Sequence, residues 1–215
     1  MLLDWITRIG LLVLFVTIVA LVFEGGTVIV CLLTGVKFKK VVVFFGKPVF
    51  TIRTRLAPIS IGYIPGGGFV QLDMDRFAEK PLITRCFVTL AGPLALFLSS
   101  VGCLGIVHAG HSFVMTIPEG LEFLLSPAAR GKQFMTLFFD LLQASPVIAY
   151  GVFAAKASAF HLFPIPEMSG GRLMIELTAK RDESVLAKSL QYFCTLSAIV
   201  LAVEFVVAVI SFFRE

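Results

Sequence analysis

Residues 11–33 read LLVLFVTIVALVFEGGTVIVCLL, an uninterrupted apolar run whose one charged side chain, Glu24, stands near its middle. The run is longer than the roughly 20 residues an α-helix needs to cross a bilayer. A carboxylate at membrane depth is costly unless it is neutral, paired or facing water, so an ionisable residue there marks a functional position by default. Glu24 is therefore both part of a spanning helix and the first candidate site residue.

The rest of the chain agrees with a membrane location. It is 58% hydrophobic and 15% charged, with 22 Phe among 215 residues, against roughly 45–50% and 25% in a soluble domain. Length and the absence of linkers or repeats predict a single domain, 1–215. The net charge is +4, but the basic residues flank apolar spans and form no aromatic-interleaved patch, which argues against a nucleic-acid partner. Cys31, Cys86, Cys103 and Cys194 lie in or beside apolar runs with no C-x-x-C pair, so they read as small hydrophobes.

Four segments are long enough to span: about 9–34, 87–107, 141–163 and 190–212. Residues 37–72 differ. Val41–Phe45, Val49–Arg53 and Ile59–Ile64, separated by Gly46, Pro48 and Pro58, predict short strands and hairpins. Gly66-Gly67-Gly68 predicts a tight turn before Phe69–Leu72. Nine of the 18 Lys and Arg fall in 35–86 and four in 164–189. The positive-inside rule then makes the strand-rich loop cytoplasmic, both termini extracytoplasmic, and 108–140 an outer loop. Within that loop Phe113, Leu121, Phe123, Leu124, Phe134 and Phe138 predict an interfacial amphipathic helix.

Three separated stretches carry a resemblance. Phe45-Gly46-Lys47-Pro48 and Ile61-Gly62-Tyr63-Ile64-Pro65-Gly66-Gly67-Gly68-Phe69-Val70 are similar to the membrane-associated sheet and G-G-[YF]-V segment of the site-2 protease family of intramembrane zinc metalloproteases. Ala91-Gly92-Pro93-Leu94-Ala95-Leu96-Phe97 resembles that family's A-G-P-x-x-N-F, with Leu96 at the asparagine position. His161-Leu162-Phe163-Pro164-Ile165-Pro166-Glu167-Met168-Ser169-Gly170-Gly171 resembles N-L-x-P-x-x-x-x-D-G-G. The resemblance implies an α-helical integral membrane protein with about four transmembrane helices and a small membrane-associated β-sheet.

The same correspondence removes the family's chemistry. A zinc peptidase helix reads H-E-x-x-H, two imidazoles one turn apart with the glutamate as general base. Here the histidine positions are Phe23 and Thr27, and the ligating aspartate is replaced by Ser169. Phenyl cannot ligate, and neutral hydroxyls are poor zinc donors beside imidazole, thiolate or carboxylate. Glu24 survives alone, without a metal to lower the pKa of its water.

The expectation is a catalytically inactive pseudoprotease, with no metal, that binds or regulates a membrane-protein or transmembrane-peptide segment. Phe23, Thr27, His161 and Ser169 line the former centre, and Gly66, Gly67, Gly68, Phe69 and Val70 form a docking strand for edge addition. The rival is an active intramembrane metallopeptidase binding zinc through a substituted site such as Glu24, His161 and Glu167. A small transporter is a third class, weakly suggested by the Gly-Pro interruptions. Similar estimated depths predict an ion pair of Glu24 with Lys156; the competing reading is a protonated Glu24 with Lys156 snorkelling. His161 reads otherwise as a turn residue, and His108 with His111 as solvated loop residues on the opposite face.

Overall fold

Apolar residues at almost every position from Leu2 to Thr34 give α1 (Leu2–Thr34) no polar face, which a helix in water would require. The helix stops at Gly35, whose φ of +64° is the left-handed conformation glycine tolerates. Gly35 N–H donates to Leu32 O and Val36 N–H to Cys31 O at 2.9 Å, the paired bonds of a Schellman cap. Its hydrophobic partners, Cys31 and Val36, are buried with Phe77 and Val88.

The computed structural model describes residues 2–125, 127–165 and 168–178. The expected span at 190–212 and Glu167 lie outside the described residues. The chain divides into two compact units, 1–96 and 97–215. It is mostly helical with a small mixed sheet, and two helices, over Ile6–Thr34 and Leu82–Gly120, are long and apolar enough to cross a membrane.

In the first unit, α1 is followed by β1 (Phe38–Phe45), β2 (Phe50–Arg53), β3 (Pro58–Ile61), β4 (Ile64–Leu72) and α2 (Met74–Ala78). The sheet order is β2-β3-β1-β4. β2 and β3 form the expected hairpin, but β1 runs parallel to β3 and antiparallel to β4. The ladder of β1 slips between Val43 and Phe45, where Phe44 adopts a φ of +67° that bulky residues rarely take.

The turn expected at Gly66–Gly68 is corrected: those glycines lie inside β4, and the chain turns at Gly62–Tyr63. The reason is close approach. A Cβ on Gly67 would stand 2.6 Å from the Phe45 ring, one on Gly68 2.4 Å from Val42 O, and one on Gly62 2.2 Å from Phe45 O. Glycine inside a strand commonly marks such an approach.

The helix α3 (Leu82–Leu125) breaks at Gly105, where φ is +75° and ψ 161°. Phe97 and Phe113 flank the break, and their ring centroids are 5.3 Å apart. In a straight helix those residues would be about 24 Å apart, so the chain doubles back at Gly105. A second reversal joins α4 (Pro127–Ala144) to α5 (Pro146–His161) at Ser145, which is extended and caps α5 by accepting from Ile148 N–H. Phe138 and Phe153, on either side of it, approach to 5.9 Å. The Tyr150 and Ser99 hydroxyls meet at 2.9 Å, and Ser100 donates to Gly151 O at 2.7 Å. The second unit therefore contains two helical hairpins, with α6 (Ser169–Thr178) after a turn.

The described residues of 108–140, expected as a loop holding an amphipathic helix, are helical. His108 and His111 are exposed helical residues, and α4 is amphipathic, burying Met135, Phe138, Phe139 and Leu142. The segment 141–163 is divided at Ser145 between the end of α4 and α5.

Candidate functional site

The site in the first unit is built where α1 crosses the start of α3 and packs on β4. Glycine at position 26 makes the crossing close, because a Cβ there would lie 2.3 Å from Ala95 Cβ and 3.0 Å from Ala91 O. Small residues at such crossings let backbones approach and pack without lipid between them. One residue back, Gly25 faces open space. Glu24 is buried, 9% exposed, and its Cγ lies 3.5 Å from where a Cβ on Gly68 would stand. The glutamate thus sits against the backbone of β4.

Phe23 occupies the neighbouring space. Its ring lies on Gly92, where a Cβ would meet three ring atoms at 2.5–2.6 Å. Thr27, one turn on, donates its hydroxyl to Phe23 O at 3.2 Å, within its own helix. Leu96 is fully buried. Phe23, Thr27 and Leu96 thus bring to this unit an apolar ring, a hydroxyl turned back on the backbone and an alkyl group, and none of the three is a zinc donor.

The second unit holds the remaining expected residues. His161 ends α5 with Nδ1 2.8 Å from Ala157 O, the bond of a helix-terminal residue. The chain turns through Pro164 and Ile165 to Ser169, which is buried at the first residue of α6. Gly170 is required there, since a Cβ would stand 2.1 Å from Leu162 O. Ser169 is thus held in a tight turn, but an uncharged hydroxyl is again no match for a zinc-binding carboxylate. Among the described residues, no three His, Cys, Asp or Glu side chains are grouped so that they could hold a metal ion. The side chains at the three positions matching the family's ligands, Phe23, Thr27 and Ser169, do not fit zinc.

Lys156 has a partner that the sequence reading missed. Its ammonium pairs with Glu119 of α3. The cause is the reversal at Gly105, after which the returning helix brings Glu119 to α5. The only signal in the sequence was a glycine within an apolar run, which specifies no fold-back by itself.

Gly66–Val70, the expected docking segment, is the middle of β4. Val42 pairs with Phe69 and Val43 with Gly68 on the β1 side, and among the described residues β4 has no further strand on its other side. Phe69 is 43% exposed. A family model described as Peptidase family M50 matches residues 11–205 of the chain. No curated protein matches it.

Proposed function

The chain belongs to peptidase family M50, the site-2 protease family, and from that premise we propose that it is a catalytically silent, multi-pass member that holds a membrane-protein segment without cutting it. One observation carries the reading: the Phe23 ring fills the space against Gly92 at a position where the family places a metal-binding imidazole. The change is more than the loss of a ligand, because the ring makes the pocket beside Glu24 apolar. Hydrolysis of an amide by this family needs a metal to activate water, and Glu24 alone supplies no equivalent.

What remains is a binding surface. β4 ends the sheet, and an extended segment can add to such an edge through backbone hydrogen bonds alone. Gly67 and Gly68 keep that strand close to β1, and Gly68 brings it close to Glu24, while Phe69 offers an exposed apolar contact. The partner is a transmembrane or membrane-adjacent peptide whose stability or processing the protein regulates. Four spans, cytoplasmic placement of the sheet and extracytoplasmic termini complete the proposal, supported by the distribution of Lys and Arg.

The test is a photo-crosslinker at Phe69 in the full chain, embedded with a panel of single-span reporter proteins. The reading expects adducts that retain the full-length reporter. Shortened reporters whose appearance depends on Glu24, judged with Glu24→Gln, would contradict it and restore the peptidase reading.

A further inference from the structure

The opposite edge of the sheet presents a different chemistry. Every residue of β2 is exposed, including Phe50 at 60% and Ile52 at 44%. Val49 before it and Leu56 after it are 72% and 64% exposed. These side chains are held by an ordered hairpin. Val49 N–H donates to Ile61 O at 2.8 Å, the Thr51 and Ser60 hydroxyls meet at 3.1 Å, and Thr54 closes the turn by donating to Ala57 O at 2.7 Å. An edge strand that faced water would be blunted with polar groups, not lined with large apolar ones.

The charge around this edge is of one sign. Between Glu24 and Asp73 the chain carries six Lys and Arg and no acid. Lys47, Arg53 and Arg55 flank β2, are exposed, and make no ion pair among the described residues; the ion pairs beside the sheet join Lys39 and Arg76 to Asp73. Exposed apolar side chains interspersed with unpaired cations match the boundary between acyl chains and anionic headgroups.

We infer that the β2 edge inserts at the membrane interface and selects anionic lipid headgroups through Lys47, Arg53 and Arg55. The resemblance already implies a membrane-associated sheet; the step beyond it is which edge enters and which lipid it takes. A bilayer is favoured over an acidic protein segment because the chain already carries membrane-spanning helices, which hold the sheet beside the headgroups. Long cationic side chains can lie along the apolar strand with their heads at the phosphate level. The inference is independent of the role given to β4.

The test uses the full chain with Phe50→Trp as reporter and its one Trp removed by Trp5→Phe, reconstituted in phosphatidylcholine vesicles with or without phosphatidylglycerol. Acyl chains brominated on one lipid or the other report which lies beside position 50. Each cation at an anionic surface favours association about fivefold. Quenching by brominated phosphatidylglycerol should therefore exceed its share of the bilayer several-fold. Lys47→Gln, Arg53→Gln and Arg55→Gln together should abolish that excess. Circular dichroism checks the folding of the variant, and a salt titration of the parent, which changes none of the cations, should remove the same excess by screening. Quenching that follows bulk lipid composition in the parent would overturn the inference. So would full access of aqueous iodide to the reporter in anionic vesicles, which would instead favour an acidic protein partner for this edge.

Discussion

Replacing Gly25 and Gly26 by alanine, one at a time, separates the helix crossing from every other effect on α1. Both changes remove the same interior-glycine penalty, about 1 kcal/mol in helix propensity, so that contribution cancels between them. At Gly25 nothing lies within 4 Å, and Gly25→Ala should raise stability by roughly that amount. At Gly26 the new methyl would stand 2.3 Å from Ala95 Cβ and 3.0 Å from Ala91 O. Non-bonded carbons settle near ~3.5–4.0 Å, so α1 must withdraw from α3 by more than an ångström. Neither obstacle is the end of a flexible side chain that could swing aside. Overpacking of this kind costs about 1–3 kcal/mol, which is the expected difference between the two variants. The assay is reversible unfolding of the full chain in mixed micelles, followed by circular dichroism. Once about 1 kcal/mol is allowed for the new interior glycine, adding Ala95→Gly to Gly26→Ala should relieve part of the overpacking, seen as a non-additive gain in a double-mutant cycle. Equal stabilities for Gly25→Ala and Gly26→Ala, within about 0.5 kcal/mol, would refute the close crossing that positions Glu24.

Three further outcomes follow from the site. Phe23→His with Thr27→His places two imidazoles one turn apart beside Glu24, and equilibrium dialysis should find zinc binding that the parent lacks; no gain would mean that these are not the former ligand positions. Lys156→Met and Glu119→Gln should be non-additive by on the order of 1 kcal/mol in a double-mutant cycle, since Lys156 is only 13% exposed and loses its partner when Glu119 changes; additive losses would dismiss the pair. Gly170→Ala, which puts a methyl 2.1 Å from Leu162 O, should destabilise by about 1–3 kcal/mol in thermal unfolding, and an unchanged midpoint would contradict the tight turn before α6.

Local patterns carried much of this architecture. The length of the apolar run around Glu24 and the Pro and Gly punctuation of 37–72 placed α1 and the strands near their observed positions, because span length and turn chemistry are local properties. Long-range pairing is not local. The parallel match of β1 with β3 joins residues such as Val41 and Ile59, and no local pattern chooses it over a simple hairpin. The three glycines of β4 read as a turn because the same residue serves turns and close backbone approach, and only the neighbours Val42 and Phe45 decide between them. Gly105 was equally silent. A glycine in an apolar helix is compatible with continuation or reversal, and the reversal gave Lys156 its partner Glu119. At the candidate site the residue types were readable from the outset, since Phe23, Thr27 and Ser169 offer no imidazole, thiolate or carboxylate at the positions matching the family's ligands. That the Phe23 ring packs on Gly92 needed the fold.

The central claim is that this scaffold has lost its cation. Elemental analysis of the full chain, purified from membranes after growth with ample zinc and without chelators, tests it most directly. The account predicts zinc far below one ion per chain, unchanged by Glu24→Ala or His161→Ala. One tightly held zinc per chain, lost in either variant, would contradict it.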